Sequence, residues 1–170
     1  GTITGCTVSG SVSAFNSNSY DAFAGGFAAQ NGGNGGEITD CTADVTVSAY
    51  STKNTSLAGG FVASNWSDAK ITDCTASGSV SSVSTVHDSY AGGFAADNDI
   101  NAEITRSAAK SDRITGTNGQ AGKLYKGSFA GRNVNMAADC LSDNSSVSVS
   151  GLYAIGEDLR KSPPGPSDDI

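Results

Sequence analysis

The sequence predicts an all-β fold, a right-handed parallel β-helix (β-solenoid) of about five coils with a 33–35-residue repeat. Three observations carry that prediction. The phrase Gly92-Gly93-Phe94-Ala95-Ala96-Asp97-Asn98 recurs at Gly25 to Asn31, Gly59 to Asn65 and Gly127 to Asn133, with its phenylalanines 34, 33 and 35 residues apart. A second phrase, Ile3-Thr4-Gly5-Cys6, recurs as Ile38-Thr39-Asp40-Cys41, Ile71-Thr72-Asp73-Cys74, Ile104-Thr105-Arg106-Ser107 and Ala137-Ala138-Asp139-Cys140, spaced by 35, 33, 33 and 33 residues. After each cysteine slot the chain alternates with period two, as in Cys41, Ala43, Val45, Val47 and Ala49 against Thr42, Asp44, Thr46 and Ser48. A fixed period of this size marks copies that pack on one another, and the alternation marks strands with one buried and one wet face.

Each repeat reads as strand, loop, strand, turn. The first strand is the alternating run. A variable segment follows (Asn16 to Asp21, Ser51 to Ser56, Ser84 to Ser89, Gly116 to Lys123), rich in Ser, Thr, Asn and Gly, which reads as loops along one edge. The second strand is the glycine-phenylalanine phrase, with Phe61, Ala63 and Asn65 on one face. A second variable turn (Gly32 to Glu37, Trp66 to Lys70, Asp99 to Glu103, Val134 to Met136) leads to the next cysteine slot. Such strands bury themselves only if the next repeat lies alongside in parallel, about 4.8 Å away, through a crossover that is normally right-handed.

Stacking turns each repeated position into a ladder. The interior is expected to carry Cys6, Cys41, Cys74, Ser107 and Cys140, then Val12, Val47 and Val80, then Phe27, Phe61, Phe94 and Phe129. Asn31, Asn65, Asn98 and Asn133 form a column whose amides find partners in one another and in turn backbone. Residues 3–158 read as one domain, with coils at about 3–37, 38–70, 71–103, 104–136 and 137–158. Ser146 to Ser150 reads as one more alternating strand and Leu152 to Gly156 as a degraded second one, and residues 159–170, with Pro163, Pro164 and Pro166, read as a linker. The chain opens inside a repeat, which suggests a segment of a longer protein.

Charge narrows the partners. A net charge of −7 argues against nucleic acid, which calls for a concentrated basic surface. Six of the ten basic residues (Arg106, Lys110, Arg113, Lys123, Lys126, Arg132) fall in the fourth repeat, a basic coil that is either a solvated face or a patch for an anionic glycan. No apolar run is long enough for a membrane span, so no membrane insertion is expected.

Chemistry-bearing residues are sparse. The cysteines form no CxxC pair, and in a ladder Cys74 and Cys140 sit two coils, about 9.6 Å, apart, beyond the roughly 7 Å limit for a disulfide, so small buried thiols are expected. Asp40, Asp73 and Asp139 make a column interrupted by Arg106. These acids, or the cluster Asp97, Asp99, Asn101 and Glu103, are the one oxygen-rich chemistry that suits calcium; otherwise no cofactor is expected. His87, the single histidine, reads as loop polarity.

The two phrases together, Gly-Gly-Phe-Ala-x-x-Asn and Ile-Thr-Asp-Cys-Thr-Ala-x-Gly-x-Val, resemble the GLUG-type repeats of bacterial surface and secreted proteins, adhesins and segments attached to immunoglobulin A-specific metallopeptidases among them. The likeness covers residues 3 to about 150, with phenylalanine where the family phrase usually has leucine. It implies an extracellular, cell-surface β-repeat segment. It carries over no peptidase activity, because the HExxH zinc motif is absent.

The leading expectation is therefore a non-catalytic repeat module of a bacterial cell-surface protein, acting as stalk or adhesive surface, with neighbouring domains of a longer protein and a host glycan or protein as partners. Loop aromatics, Tyr20, Tyr50, Trp66 and Tyr90, are the candidate contacts. Two alternatives stand beside it. A glycan-cleaving β-helix enzyme would use Lys110, Asp112 and Arg113, and an ice- or crystal-binding module would use the Ser and Thr ranks, which lose regularity at Asp44, Lys110 and Leu141.

Overall fold

The computed structural model describes residues 1–33, 35–134, 136–138, 140–142 and 155–158. Its described residues form no helix, and none could cross a membrane as one. Each full coil carries four strands. Coil 1 holds β1 (Thr2–Thr4), β2 (Thr7–Asn16), β3 (Ala22–Gly25) and β4 (Ala28–Asn31). Coil 2 holds β5 (Glu37–Thr39), β6 (Thr42–Ser51), β7 (Ser56–Gly59) and β8 (Val62–Asn65). Coil 3 holds β9 (Lys70–Thr72), β10 (Thr75–Ser84), β11 (Ser89–Gly92) and β12 (Ala95–Asn98). Coil 4 holds β13 (Glu103–Thr105), β14 (Ala108–Thr117), β15 (Leu124–Gly127) and β16 (Ala130–Asn133). Strands β17 (Met136–Ala138), β18 (Leu141–Ser142) and β19 (Ile155–Asp158) begin a fifth turn. The molecule is a parallel β-solenoid of four complete coils, close to the five expected. The expectations for Ser146 to Ser150, Leu152 to Ala154 and residues 159–170 lie outside the described residues.

Four parallel sheets run along the axis, in the orders β1-β5-β9-β13-β17, β2-β6-β10-β14-β18, β3-β7-β11-β15 and β4-β8-β12-β16-β19. Register is in phase with the repeat: Ile38 aligns with Ile71, Val47 with Val80, Gly59 with Gly92, and Asn65 with Asn98.

Two strands per repeat was too few, and the corners explain why. Asp40, Asp73 and Arg106 adopt φ of 54°, 54° and 46°, a left-handed corner that severs the Ile-Thr strand from the alternating run. Within the glycine-phenylalanine phrase, Gly60 and Phe61 form a corner between β7 and β8, and the strand expected of the whole phrase is confined to β8. A Cβ on Gly60 would lie 2.1 Å from the Gly93 carbonyl oxygen of the next coil, so a side chain there would push the coils apart. Strands of three or four residues are too short to reveal a period.

The face assignment of the phrase is corrected as well. Phe61 joins Val62 in the interior, whereas Ala63 packs with Leu57 and Ala96 in a second cluster flanked by Phe23 and Tyr90. Interior rings stack along the axis, Phe27 on Phe61, Phe61 on Phe94 and Phe94 on Phe129, with centroids 4.8, 4.8 and 5.0 Å apart. That separation is the strand spacing itself.

Candidate binding surfaces

The most repetitive chemistry is polar and buried. Asn31 donates through Nδ2 to Asn65 Oδ1 at 3.0 Å, Asn65 to Asn98 at 2.9 Å and Asn98 to Asn133 at 2.8 Å. Asn65 Nδ2 also reaches the Glu103 carbonyl at 3.3 Å. At the left-handed corner, the backbone N–H of Cys6 points at Cys41 Sγ (3.3 Å), that of Cys41 at Cys74 Sγ (3.4 Å) and that of Cys74 at Ser107 Oγ (3.2 Å). Each side chain in turn donates to the carbonyl two residues back, 3.2 Å at Cys41, 3.1 Å at Cys74 and 2.9 Å at Ser107. Serine therefore replaces cysteine here because a hydroxyl fills the same donor and acceptor roles. The cysteines are free thiols. Cys41 and Cys74 are buried, Cys140 is half-buried, and Cys6, in the first coil, is exposed instead of interior. Burial pushes the Cys74 thiol up to about 11, which leaves it protonated and unreactive at neutral pH.

One buried group escaped the sequence reading. Ser56, Ser82 and Ser89 meet where the long strand turns into the third sheet, with Ser56 Oγ 2.7 Å and Ser89 Oγ 2.9 Å from Ser82 Oγ. Ser82 also donates to the Ser56 carbonyl and Ser89 to the Ser82 carbonyl, each at 3.0 Å. An inward serine in an alternating run was the available signal.

The four aromatic candidates lie on different elements and form no common site. Tyr20 lies on the loop edge and is 74% exposed. Tyr50 is not in a loop: it points outward from β6 and stacks on Phe15 at 5.5 Å. Tyr90 is also on a strand, β11, stacked on Tyr125 at 4.5 Å, with the Arg132 guanidinium 5.7 Å from its ring centre. Burial pushes the Tyr90 phenol well above its ordinary value, and its hydroxyl donates to Asp88 at 3.2 Å. Trp66, 40% exposed, lies over Gly32, where a Cβ would sit 2.5 Å from the indole nitrogen. Stacking along the axis turns ring faces toward neighbouring coils, so Tyr50 and Tyr90 present edges rather than open platforms.

The variable segments are ordered by the same register. Asn54 donates to the Ser19 carbonyl at 3.1 Å, Thr85 to the Thr52 carbonyl at 2.8 Å, and the Lys123 N–H to Asp88 Oδ1 at 2.7 Å. His87 sits here, its N–H on Ser84 Oγ at 3.0 Å.

Of the acids considered for calcium, Asp73, Asp97, Asp99 and Glu103 face cations of the chain itself. Arg132 grips Asp97 through Nε and Nη2 at 2.8 and 2.6 Å, and its Nη2 stands 3.6 Å from Asp99. Arg106 grips Asp73 in the same bidentate way at 2.8 and 2.7 Å, and Lys70 pairs with Glu103 at 3.7 Å. Burial raises the Asp97 carboxyl above its usual value, with Arg132 opposing, while the Arg106 hydrogen bonds hold Asp73 below its own. Among the described residues no three His, Cys, Asp or Glu side chains gather as a metal site; Asp139 lies outside them.

The outer face of the long sheet carries the hydroxyl ranks. Ser13 and Ser48 hydroxyls share a hydrogen bond of 2.8 Å, and Ser77 donates to Asp44 at 2.8 Å. A shallow groove of about 340 Å³ crosses this face, lined by Thr46, Ser48, Ser79, Ser81, Arg113 and Thr115 together with Val47 and Val80. Lys110 aligns with Ser77 and Arg113 with Ser79, while Asp112 is the extra residue of a bulge. The trio thus spreads along one strand with a single carboxylate, whereas glycoside hydrolysis uses a pair.

Comparison with known proteins agrees with the repeat. No curated protein and no solved structure matches this chain. The family model described as the GLUG motif matches residues 24–48 and 54–81. The first match starts in the third sheet and the second in the loop just before it; each turns the glycine-phenylalanine corner and ends in the long strand of the following coil, so these two segments are GLUG motifs wound into a β-solenoid.

Proposed function

We propose that this chain is a non-catalytic repeat module of an extracellular protein on a bacterial cell surface, serving as a stalk that carries neighbouring parts of that protein. The observation that supports the reading is the completeness of the ladders. Corners as well as strands bond from coil to coil: Phe27 N–H to the Phe61 carbonyl, Phe61 to Phe94 and Phe94 to Phe129, each at 2.8 Å. A coil held only by its neighbours can be repeated without changing its contacts, which is how a solenoid gains length.

An adhesive role is the second reading, favoured by exposed Tyr20 and Trp66. Antibodies against the chain should label intact, unpermeabilised source cells; labelling only after permeabilisation would overturn the surface assignment. The isolated chain carrying Tyr20→Ala and Trp66→Ala should touch host cells and immobilised glycans no less than the parent chain. A marked loss of binding would move the module from stalk to adhesin.

A further inference from the structure

Three arginines are described, and they divide by partner. Arg106 and Arg132 each close a bidentate fork on an aspartate of the preceding coil. Arg113 has no ion-pair or hydrogen-bond partner among the described residues, nor do the hydroxyls of Thr46, Ser79 and Ser81 beside it. The backbone has been rearranged to put Arg113 there. Between β10 and β14 the register jumps from Gly78 opposite Ser111 to Ser79 opposite Arg113, and the bulge at Asp112 re-aims the following side chain. Without the extra residue Asp112 would stand opposite Ser79. Gly78, at φ 100°, sits at the same level, and a Cβ there would lie 2.5 Å from the Val45 carbonyl oxygen. The pairing of β10 with β6 likewise skips from Ser77–Asp44 to Val80–Val47, so the groove lies where both ladders are interrupted.

We propose that this groove binds a carboxylated oligosaccharide, with Arg113 holding a hexuronate carboxylate and the surrounding serines and threonines hydrogen-bonding its hydroxyls. A guanidinium fork matches a carboxylate bidentately, the geometry that this chain already uses twice. Side-chain hydroxyls both donate and accept, as vicinal sugar hydroxyls do. Lys110, one step along the outward face, adds a second positive charge. A peptide would want apolar subsites, but Val47 and Val80 turn their side chains into the core and offer none. Nucleic acid is disfavoured by the net charge of −7. The volume lies at the low end for small-ligand sites, which suits a few sugar units bound weakly.

This proposal adds a lateral site to the stalk and does not rest on that reading, since surface labelling and sugar binding are separate measurements. Oligomers of galacturonic acid, titrated calorimetrically into the whole chain at low salt, should bind, while neutral gluco-oligosaccharides of equal length should not. Arg113→Gln, on an exposed side chain, should keep the melting curve and lower the affinity about tenfold, the value of one charge-assisted bond. Arg113→Lys, which keeps charge but loses the fork, should fall between. No galacturonate binding, equal binding by Arg113→Gln, equal binding of neutral oligomers, or tighter binding of polyglutamate or a sulfated oligosaccharide would each overturn the proposal.

Discussion

The junction of coils 2 and 3 and the junction of coils 3 and 4 share one core and differ in their charges. Both stack a phenylalanine pair, at 4.8 and 5.0 Å, and both pass an asparagine amide across, at 2.9 and 2.8 Å. Every ion pair found among the described residues, however, joins coil 3 to coil 4. Three columns change sign there: Asp40 and Asp73 are followed by Arg106, Ser64 and Asp97 by Arg132, and Glu37 and Lys70 by Glu103. Repetition suits apolar rings and amides, because each is its own complement. It does not suit charge, because identical charges stacked at strand spacing repel. The core can therefore be copied from coil to coil, while charged columns must be composed pair by pair.

The largest expected effect lies at the phenylalanine corner, which the two junctions share and coil 4 alters. Gly60→Ala would drive a methyl group against backbone of the next coil and should cost about 4 kcal/mol or more, in the range of exceptional single substitutions. At the outer junction Gly93 stands under the same constraint, an added Cβ lying 2.1 Å from the Ser128 carbonyl oxygen, whereas Ser128 of coil 4 already carries a side chain at this corner, and Ser128→Ala should change stability by no more than about 0.5 kcal/mol. Urea unfolding of the two variants measures this directly. Equal losses would mean that the corner glycines serve the chain's own turn and not the approach of the next coil.

Smaller effects separate amides from charges. Asn65→Ala leaves the Asn31 amide and the Asn98 oxygen buried without their partner and should cost about 3 kcal/mol. Arg132→Gln removes the fork from buried Asp97, and with Arg132 itself partly in solvent the loss should be nearer 2 kcal/mol. Unfolding at low and at high sodium chloride should leave the first loss unchanged and shrink the second, because salt screens charge and not amides. If both respond alike, the ion pairs are not what distinguishes the outer junction.

How much of this could be read in the chain follows the same division. The period, the parallel stacking and the solenoid were legible, since they rest on positions repeated in every copy: Phe27 to Phe129, Ile38 to Ile104, Asn31 to Asn133. The number of strands was not, because Asp40, Asp73 and Arg106 look like an outward acid column and act as left-handed corners, a backbone property shared by Gly5 that charge conceals. The groove was less legible still. Arg113 reads as one basic residue among six in its coil until the Asp112 bulge sets it opposite Ser79, and the shift shows in the sequence only as Ile114 lying 34 residues after Val80 where 33 is the rule. Tyr50 and Tyr90 were drawn to loops by their polar neighbours, whereas the in-register rings Phe15 and Tyr125 place them on strands.

The smallest expected effect is also the one that divides the acids of the outer junction. Asp73 titrates below its ordinary 3.8 because the Arg106 fork favours the carboxylate. Its contribution is therefore present above 3.8 and lost as the pH falls through the lowered value. Asp97 is shifted the other way, because burial disfavours its charge more than Arg132 restores it. A raised carboxyl lets the folded chain hold its proton more tightly than the unfolded chain does, so that contribution is present below 3.8 and lost as the pH rises through the raised value. Denaturant midpoints taken from about pH 3 to about pH 6 should show the gap between the parent chain and Asp73→Asn closing on acidification. The gap to Asp97→Asn should move in the opposite sense over the same range. If the Asp73 gap stays constant, solvent has reduced the Arg106 fork to a contact without energetic weight, and the charges holding coil 4 reduce to Asp97, Asp99 and Arg132, with Lys70 and Glu103 beside them.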